Sequence, residues 1–177
     1  MTDWGPLAEK FLVSDEANEY DIYGFSEHHL NKTNIKRFAT VCKSSNRRPF
    51  FASARQKNSG TSGGVLLAPR VHLCIEPFSS PPRIFHVGED WVAFILRLRG
   101  LDVIIIQLYL VSGIGPAKEN LHRLNEILSF ALGLRLYFII FGNFNMTPEQ
   151  LSSIGLLVKA TAAVATVDNR APTCRTG

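Results

Sequence analysis

Two largely apolar runs constrain the fold of this chain more than any other feature: VIIIQLYL over residues 103–110 and LYFIIF over residues 136–141. Each is strand-length, rich in β-branched and aromatic residues, and lacks the alternation of a strand that faces water on one side. Strands apolar on both faces need cover on both, which demands a layered core. Residues 91–97 (WVAFILR) form a similar run, joined to the first around Gly100 and Asp102 as an antiparallel pair. Leu121, Leu124, Ile127, Leu128 and Ala131 then recur at helical spacing.

The remaining elements are shorter. Pro6 suits the first turn of a helix with Leu7, Phe11 and Leu12 on its apolar face, ending near Tyr20. Residues 21–27 (DIYGFSE) read as a strand ending in a carboxylate, and Asn31 is placed to cap a helix bearing Ile35, Phe38, Ala39 and Cys42. Strands are expected over residues 49–54 and 64–68, with the turn-rich NSGTSGG between them. Thr147, Pro148 and Gln150 carry the signature of a helix start with a capping box. The expected fold is an α/β (α+β) sandwich of two mainly antiparallel sheets with helices packed outside them.

At 177 residues and 46% hydrophobic, the chain reads as a single domain over residues 1–177, without repeats or low-complexity tracts. Cys42, Cys74 and Cys174 are an odd number with no metal-knuckle spacing, so a reducing compartment is expected. The acidic N-terminus lacks the basic start and apolar run of a secretory signal. Residues 127–141 contain Gly133 and Arg135 and fall short of the roughly 20 apolar residues a membrane span needs.

Charge is placed unevenly. Seven acids and one base lie in residues 1–27, whereas residues 28–75 hold no acid and nine bases: Lys32, Lys36, Arg37, Lys43, Arg47, Arg48, Arg55, Lys57 and Arg70. Such a block can neutralise phosphates and release counterions, so nucleic acid is a candidate partner; a plain solvated face accounts for the charge equally well.

Two polar clusters follow strands: Ser26-Glu27-His28-His29, and Gly142-Asn143-Phe144-Asn145 after LYFIIF. A carboxylate and two carboxamides converging there could hold a hard cation and a phosphate, because Mg²⁺ prefers oxygen ligands and amides donate to phosphoryl oxygens. Tyr109, near the end of VIIIQLYL, could aim its phenol at the same sheet edge, or be a core tyrosine with a satisfied hydroxyl. The two histidines have no third ligand at a recognisable spacing and read as surface or supporting residues. NSGTSGG lacks the Lys-Ser/Thr of a phosphate-binding P-loop.

Taken in chain order, these segments resemble the endonuclease/exonuclease/phosphatase superfamily, and within it the endonuclease domains of non-LTR retrotransposons. DIYGFSEHHL is similar to the family's Asp-(apolar)₃-Gln/Ser-Glu-Thr-His segment, SGGVLL to its Gly-Gly strand, VIIIQLYL to its strand ending in Val-Tyr, and IIFGNFNMTPE to its Gly-Asp-Phe-Asn segment. The resemblance implies a four-layer sandwich with the site at one end. It implies Glu27 as ligand to Mg²⁺ or Mn²⁺, Tyr109 and Asn145 as contacts to the scissile phosphate, and Asn143 in the place of the water-orienting Asp.

The resemblance also has gaps. An amide at Asn143 cannot accept a proton at neutral pH. The family's first strand, with another Asn of the site, and its C-terminal Asp-His pair have no counterpart, so a domain truncated at both ends is expected. Two functions follow: a degenerate, non-catalytic binding or scaffolding module with protein partners in a larger chain or assembly, or a metal-dependent endonuclease or phosphodiesterase with missing site residues supplied from outside this chain.

Overall fold

The computed structural model describes residues 12–14, 19–31, 35–57, 60–76, 86–87 and 90–164. In chain order the elements are β1 (Ile22–Ser26), α1 (Ile35–Ser44), β2 (Phe50–Ala52), β3 (Arg55–Lys57), β4 (Gly60–Ser62), β5 (Val65–Pro69), β6 (Ile75–Glu76) and β7 (His86–Val87). There follow β8 (Trp91–Leu98), β9 (Leu101–Tyr109), α2 (Lys118–Gly133), β10 (Tyr137–Asn143), α3 (Pro148–Ser153) and α4 (Leu156–Ala160).

Two sheets form the centre. The smaller is antiparallel, in the order β1-β5-β2, with Ile22 opposite Pro69 and Ser26 opposite Val65. The larger has five strands, running β10-β9-β8-β6 with β7 also on β8. Within it the expected pair of long strands is antiparallel, and β10 lies parallel to β9, ending with Asn143 opposite Tyr109.

Packing follows from alternation along the strands. Ile104, Ile106 and Leu108 of β9 face out onto α2, α3 and α4, where Leu124, Ile127, Leu128, Leu151 and Leu156 are buried. Val103, Ile105 and Tyr109 face in, with Val92 and Phe94 of β8, onto Phe50, Val65 and Leu67 of the other sheet. Ile35, Phe38 and Cys42 of α1 close the far side on Leu66 and Ala68. The result is the expected four layers of helix, sheet, sheet and helix. Truncating a side chain such as Ile106, fully buried between sheet and helix, costs about 2–5 kcal/mol.

Three local expectations are revised. NSGTSGG is not only a turn, because it contains β4, which pairs with β3 in a separate two-stranded hairpin. β10 does not stop at Gly142: that residue takes φ 138°, and an added Cβ there would stand 2.0 Å from the Leu108 carbonyl oxygen, so glycine alone carries the ladder on to Asn143. The strand 136–141 is not covered on both faces along its length, since Tyr137 is 72% and Ile139 55% exposed. At Phe141 cover begins, where the ring lies against Gly24 of β1.

The helix expected from Pro6 falls largely outside the described residues, as do the histidine-free ends at residues 1–11 and 165–177; Leu12 is buried beneath α1. The capping box forms as expected, with Thr147 Oγ1 accepting from the Gln150 amide at 3.2 Å and the Gln150 side chain accepting from the Thr147 amide at 3.0 Å.

Candidate functional site

β1, β9 and β10 all end at one pole, and their ends are stitched by polar side chains. Ser26 Oγ accepts from Gln107 Nε2 at 2.7 Å and donates to the Leu108 carbonyl at 2.9 Å, joining one sheet to the other. The Asn143 amide reaches the same Oγ at 3.4 Å. Gln107 is the one polar residue of the run VIIIQLYL, and its buried position is accounted for by this bond, although its Oε1 has no partner among the described residues.

Past these strand ends Glu27 meets Tyr109, and Asn143 bonds to Asn145. The Tyr109 hydroxyl donates to Glu27 Oε1 at 2.6 Å. Burial first, and then the Glu27 hydrogen bond and charge, push the Tyr109 phenol up to about 12, so at neutral pH it is a donor. Asn143 Oδ1 accepts from the Asn145 amide at 3.0 Å, an Asx turn that fixes the loop after β10. Asn145 Nδ2 donates in turn to the Leu110 carbonyl, and the Leu110 amide to that of Asn143 at 2.9 Å. Glu27 and Asn145 both have left-handed backbones, at φ 56° and 48°. Non-glycine residues adopt that conformation at a cost and cluster at functional sites.

The two histidines act through the backbone. His28 takes the supporting one of the two expected places and is buried: its Nδ1 accepts from the Leu30 amide at 3.0 Å, which leaves Nε2 to donate to the Ala52 carbonyl at 3.1 Å. Burial lowers its pKa to about 4, so the ring is neutral. His29 Nδ1 pairs with the Thr61 carbonyl at 2.9 Å, and the Thr61 hydroxyl with the His29 carbonyl at 2.9 Å, tying the β3–β4 hairpin to the Glu27 loop.

A charged cluster beside Tyr109 has no counterpart in the sequence reading. Asp90, only 5% exposed, accepts from Arg55 at 2.6 Å and Arg123 at 2.8 Å on the same oxygen, Oδ2, and its carbonyl accepts from the Tyr109 amide. Arg123 also pairs with Glu119 at 2.7 Å, one helical turn back. An acid just before a strand and an arginine among the apolar positions of a helix were the only signals, and neither names its partner.

The basic block does not form one surface. α1 starts beside the site, where the Ile35 amide donates to the Asn31 carbonyl, and runs to the opposite pole, where the Arg48 amide donates to the Pro69 carbonyl. Lys36 and Arg37 in its first turn, and Arg55 on the hairpin, are therefore at the site's pole, whereas Lys43 and Arg48 are at the other. Arg47 is not a surface residue. It is 1% exposed, donates to the carbonyls of Tyr20 at 2.7 Å and Ala68 at 2.9 Å, and stacks 4.4 Å from the Tyr23 ring centre. Burial pushes its pKa down, and the carbonyls and ring hold the guanidinium in place. Lys32 and the side chain of Lys57 lie outside the described residues.

Among the described residues no three His, Cys, Asp or Glu side chains stand together as a metal cage. Glu27 supplies one carboxylate, a donor that fits a largely hydrated Mg²⁺ or Mn²⁺ and not a softer ion. No helix among the described residues is long and apolar enough to cross a membrane.

No family model matches the sequence, and comparison with curated proteins finds no match. Solved structures do match. The human Nocturnin catalytic domain with bound sulfate superposes with a TM-score of 0.60 at 14% identity, over 88% of this chain and 63% of that one. The endonuclease domain of TRAS1, a telomere-specific non-LTR retrotransposon, gives 0.59 at 14%, over 90% and 69%. Zebrafish (D. rerio) TDP2 complexed with a single-strand DNA product gives 0.52 at 13%, over 84% and 56%. The chain thus spans less than two thirds of the length of the solved Nocturnin catalytic domain and of the solved TDP2 chain. Four layers, two facing sheets and these likenesses show that the chain shares the fold of these structures, the four-layer sandwich that the resemblance in its sequence implies.

Proposed function

We propose that this domain is a nuclease-fold module that binds nucleic acid at the Glu27–Tyr109 pole without hydrolysing it. The observation that carries the reading is Asn143: a carboxamide stands at the strand exit where the resemblance puts a carboxylate, and its oxygen accepts from the Asn145 amide. Hydrolysis of a phosphodiester needs an oriented water and an acceptor for its proton, and an amide supplies no acceptor. Binding needs less. The bases on that pole and a cation held by Glu27 suffice to attract a phosphate. That structures of this fold carry a bound sulfate, in Nocturnin, and a single-strand DNA product, in TDP2, supports an anionic ligand for the fold.

A second reading, a Mg²⁺- or Mn²⁺-dependent endonuclease completed by residues from another chain or segment, draws on the left-handed backbones of Glu27 and Asn145. A plasmid-nicking assay with either metal separates the two. The native chain should not nick, and Asn143→Asp should restore little, because groups that act as a unit recover poorly one at a time. Metal-dependent nicking by the native chain that disappears in Glu27→Ala would establish the enzyme instead.

A further inference from the structure

We infer that Arg55, aimed from the β3–β4 hairpin by the Asp90 carboxylate, is the phosphate-contacting cation of this site, with Asp90 and Arg123 as its positioning residues. The inference rests on the nucleic-acid reading above and singles out one base from a block of nine. A buried carboxylate needs a compensating charge, and Arg123, with a side chain only 10% exposed, already supplies one to Asp90. Arg55 is the second guanidinium on the same oxygen, and 41% of its side chain stands in solvent. Arg123 Nη1 is buried and has no hydrogen-bond partner among the described residues.

Placement supports the role. Gly63, with φ 73°, brings the end of the hairpin against both groups: an added Cβ would stand 3.3 Å from Asp90 Oδ1 and 3.7 Å from the Tyr109 ring. The hairpin is fixed on its other side by the paired bonds between His29 and Thr61. Arg55 is therefore held beside Tyr109 and Glu27 by a rigid mount, whereas Lys43 and Arg48 sit at the opposite pole. A guanidinium pre-oriented in this way loses little conformational entropy on meeting a phosphate.

The test is fluorescence-anisotropy binding of a labelled single-stranded oligodeoxynucleotide between about 50 and 200 mM salt, with Mg²⁺ present. Arg55→Ala should weaken binding about three- to tenfold at low salt and reduce the slope of log K against log salt by about 0.7, the share of one single-strand phosphate contact. The double variant Lys43→Ala/Arg48→Ala should leave the slope unchanged although it removes twice the charge. Asp90→Asn is the sharper probe. Loss of a negative charge alone would tighten binding to an anion, whereas loss of a positioning partner weakens it, and weakening is expected. Tightening would overturn the positioning role, and an unchanged slope in Arg55→Ala would overturn the contact while leaving the binding reading intact. If the native chain does not bind, both fall. Should Asp90→Asn fail to give a cooperative melt, Arg55→Ala, on a partly exposed side chain, still decides.

Discussion

The Tyr109 phenol and the Glu27 carboxylate meet at 2.6 Å although one belongs to the five-stranded sheet and the other follows β1 of the three-stranded sheet. The bond spans the two halves of the sandwich, and its strength can be read from the phenol. Tyr109 is raised to about 12 by burial first and Glu27 second. Glu27→Gln should therefore bring it part of the way back toward the ordinary value of about 10, not all of it. With the folded pKa above the unfolded one, the contribution of the protonated phenol to stability is complete below about pH 10 and is lost as pH rises through about 12. The difference in ultraviolet titration between the native chain and Tyr109→Phe isolates this residue; a phenol titrating near 10 in the native chain would contradict the buried, paired geometry.

His28 sets an acid limit. Its folded pKa, about 4, lies below the ordinary 6.5, so the unfolded chain takes up the proton first as pH falls. The stability owed to the neutral ring is complete above about pH 6.5 and is lost between there and about 4, a loss of at most about 3 kcal/mol. Urea melts across that window should show midpoints falling with pH, and His28→Asn should flatten the fall. An equally steep fall in the variant would assign it to other groups.

Gly24 should not tolerate a side chain. A Cβ there would lie 2.0 Å from Gln107 Oε1 and 2.2 Å from the Phe141 ring, where β1 crosses the second sheet. Gly24→Ala should destabilise by about 1–3 kcal/mol as the sheets are pushed apart, measurable as a lowered denaturation midpoint. No change would mean that Gln107 and Phe141 can swing aside together.

The Asx turn at Asn143 separates chemistry from stability. Asn143→Asp keeps an oxygen for the Asn145 amide and should melt close to the native chain, whereas Asn143→Ala loses that bond and should cost about 1 kcal/mol. Equal melting of both variants would show that the loop after β10 does not depend on the turn.

The sequence was legible where the chain announces itself locally. VIIIQLYL and the capping residue Thr147 carry length and termination in adjacent positions and fold as read, and LYFIIF forms its strand although it runs on to Asn143 with one face partly open. The meeting of Glu27 with Tyr109 was legible because each stands at the end of a strand. Three-residue strands such as RQK and GTS have no room for a period, so the β3–β4 hairpin stayed hidden in a turn-like composition. Asp90 and Arg123 were hidden for another reason: a buried ion pair between distant residues leaves no trace in either neighbourhood. Arg47 looked like its neighbours in a basic run, and only the carbonyls of Tyr20 and Ala68 distinguish it.

Because a single atom, Asp90 Oδ2, is held at once from the hairpin and from α2, segments that are remote in the chain share one fate in any partial opening. Neither can detach without leaving a buried charge poorly answered, so a fluctuation that frees one raises the energy of keeping the other. Amides of β3 and of the middle of α2 are then expected to exchange with solvent as one cooperative unit, and the mount of Arg55 to persist until that whole unit opens.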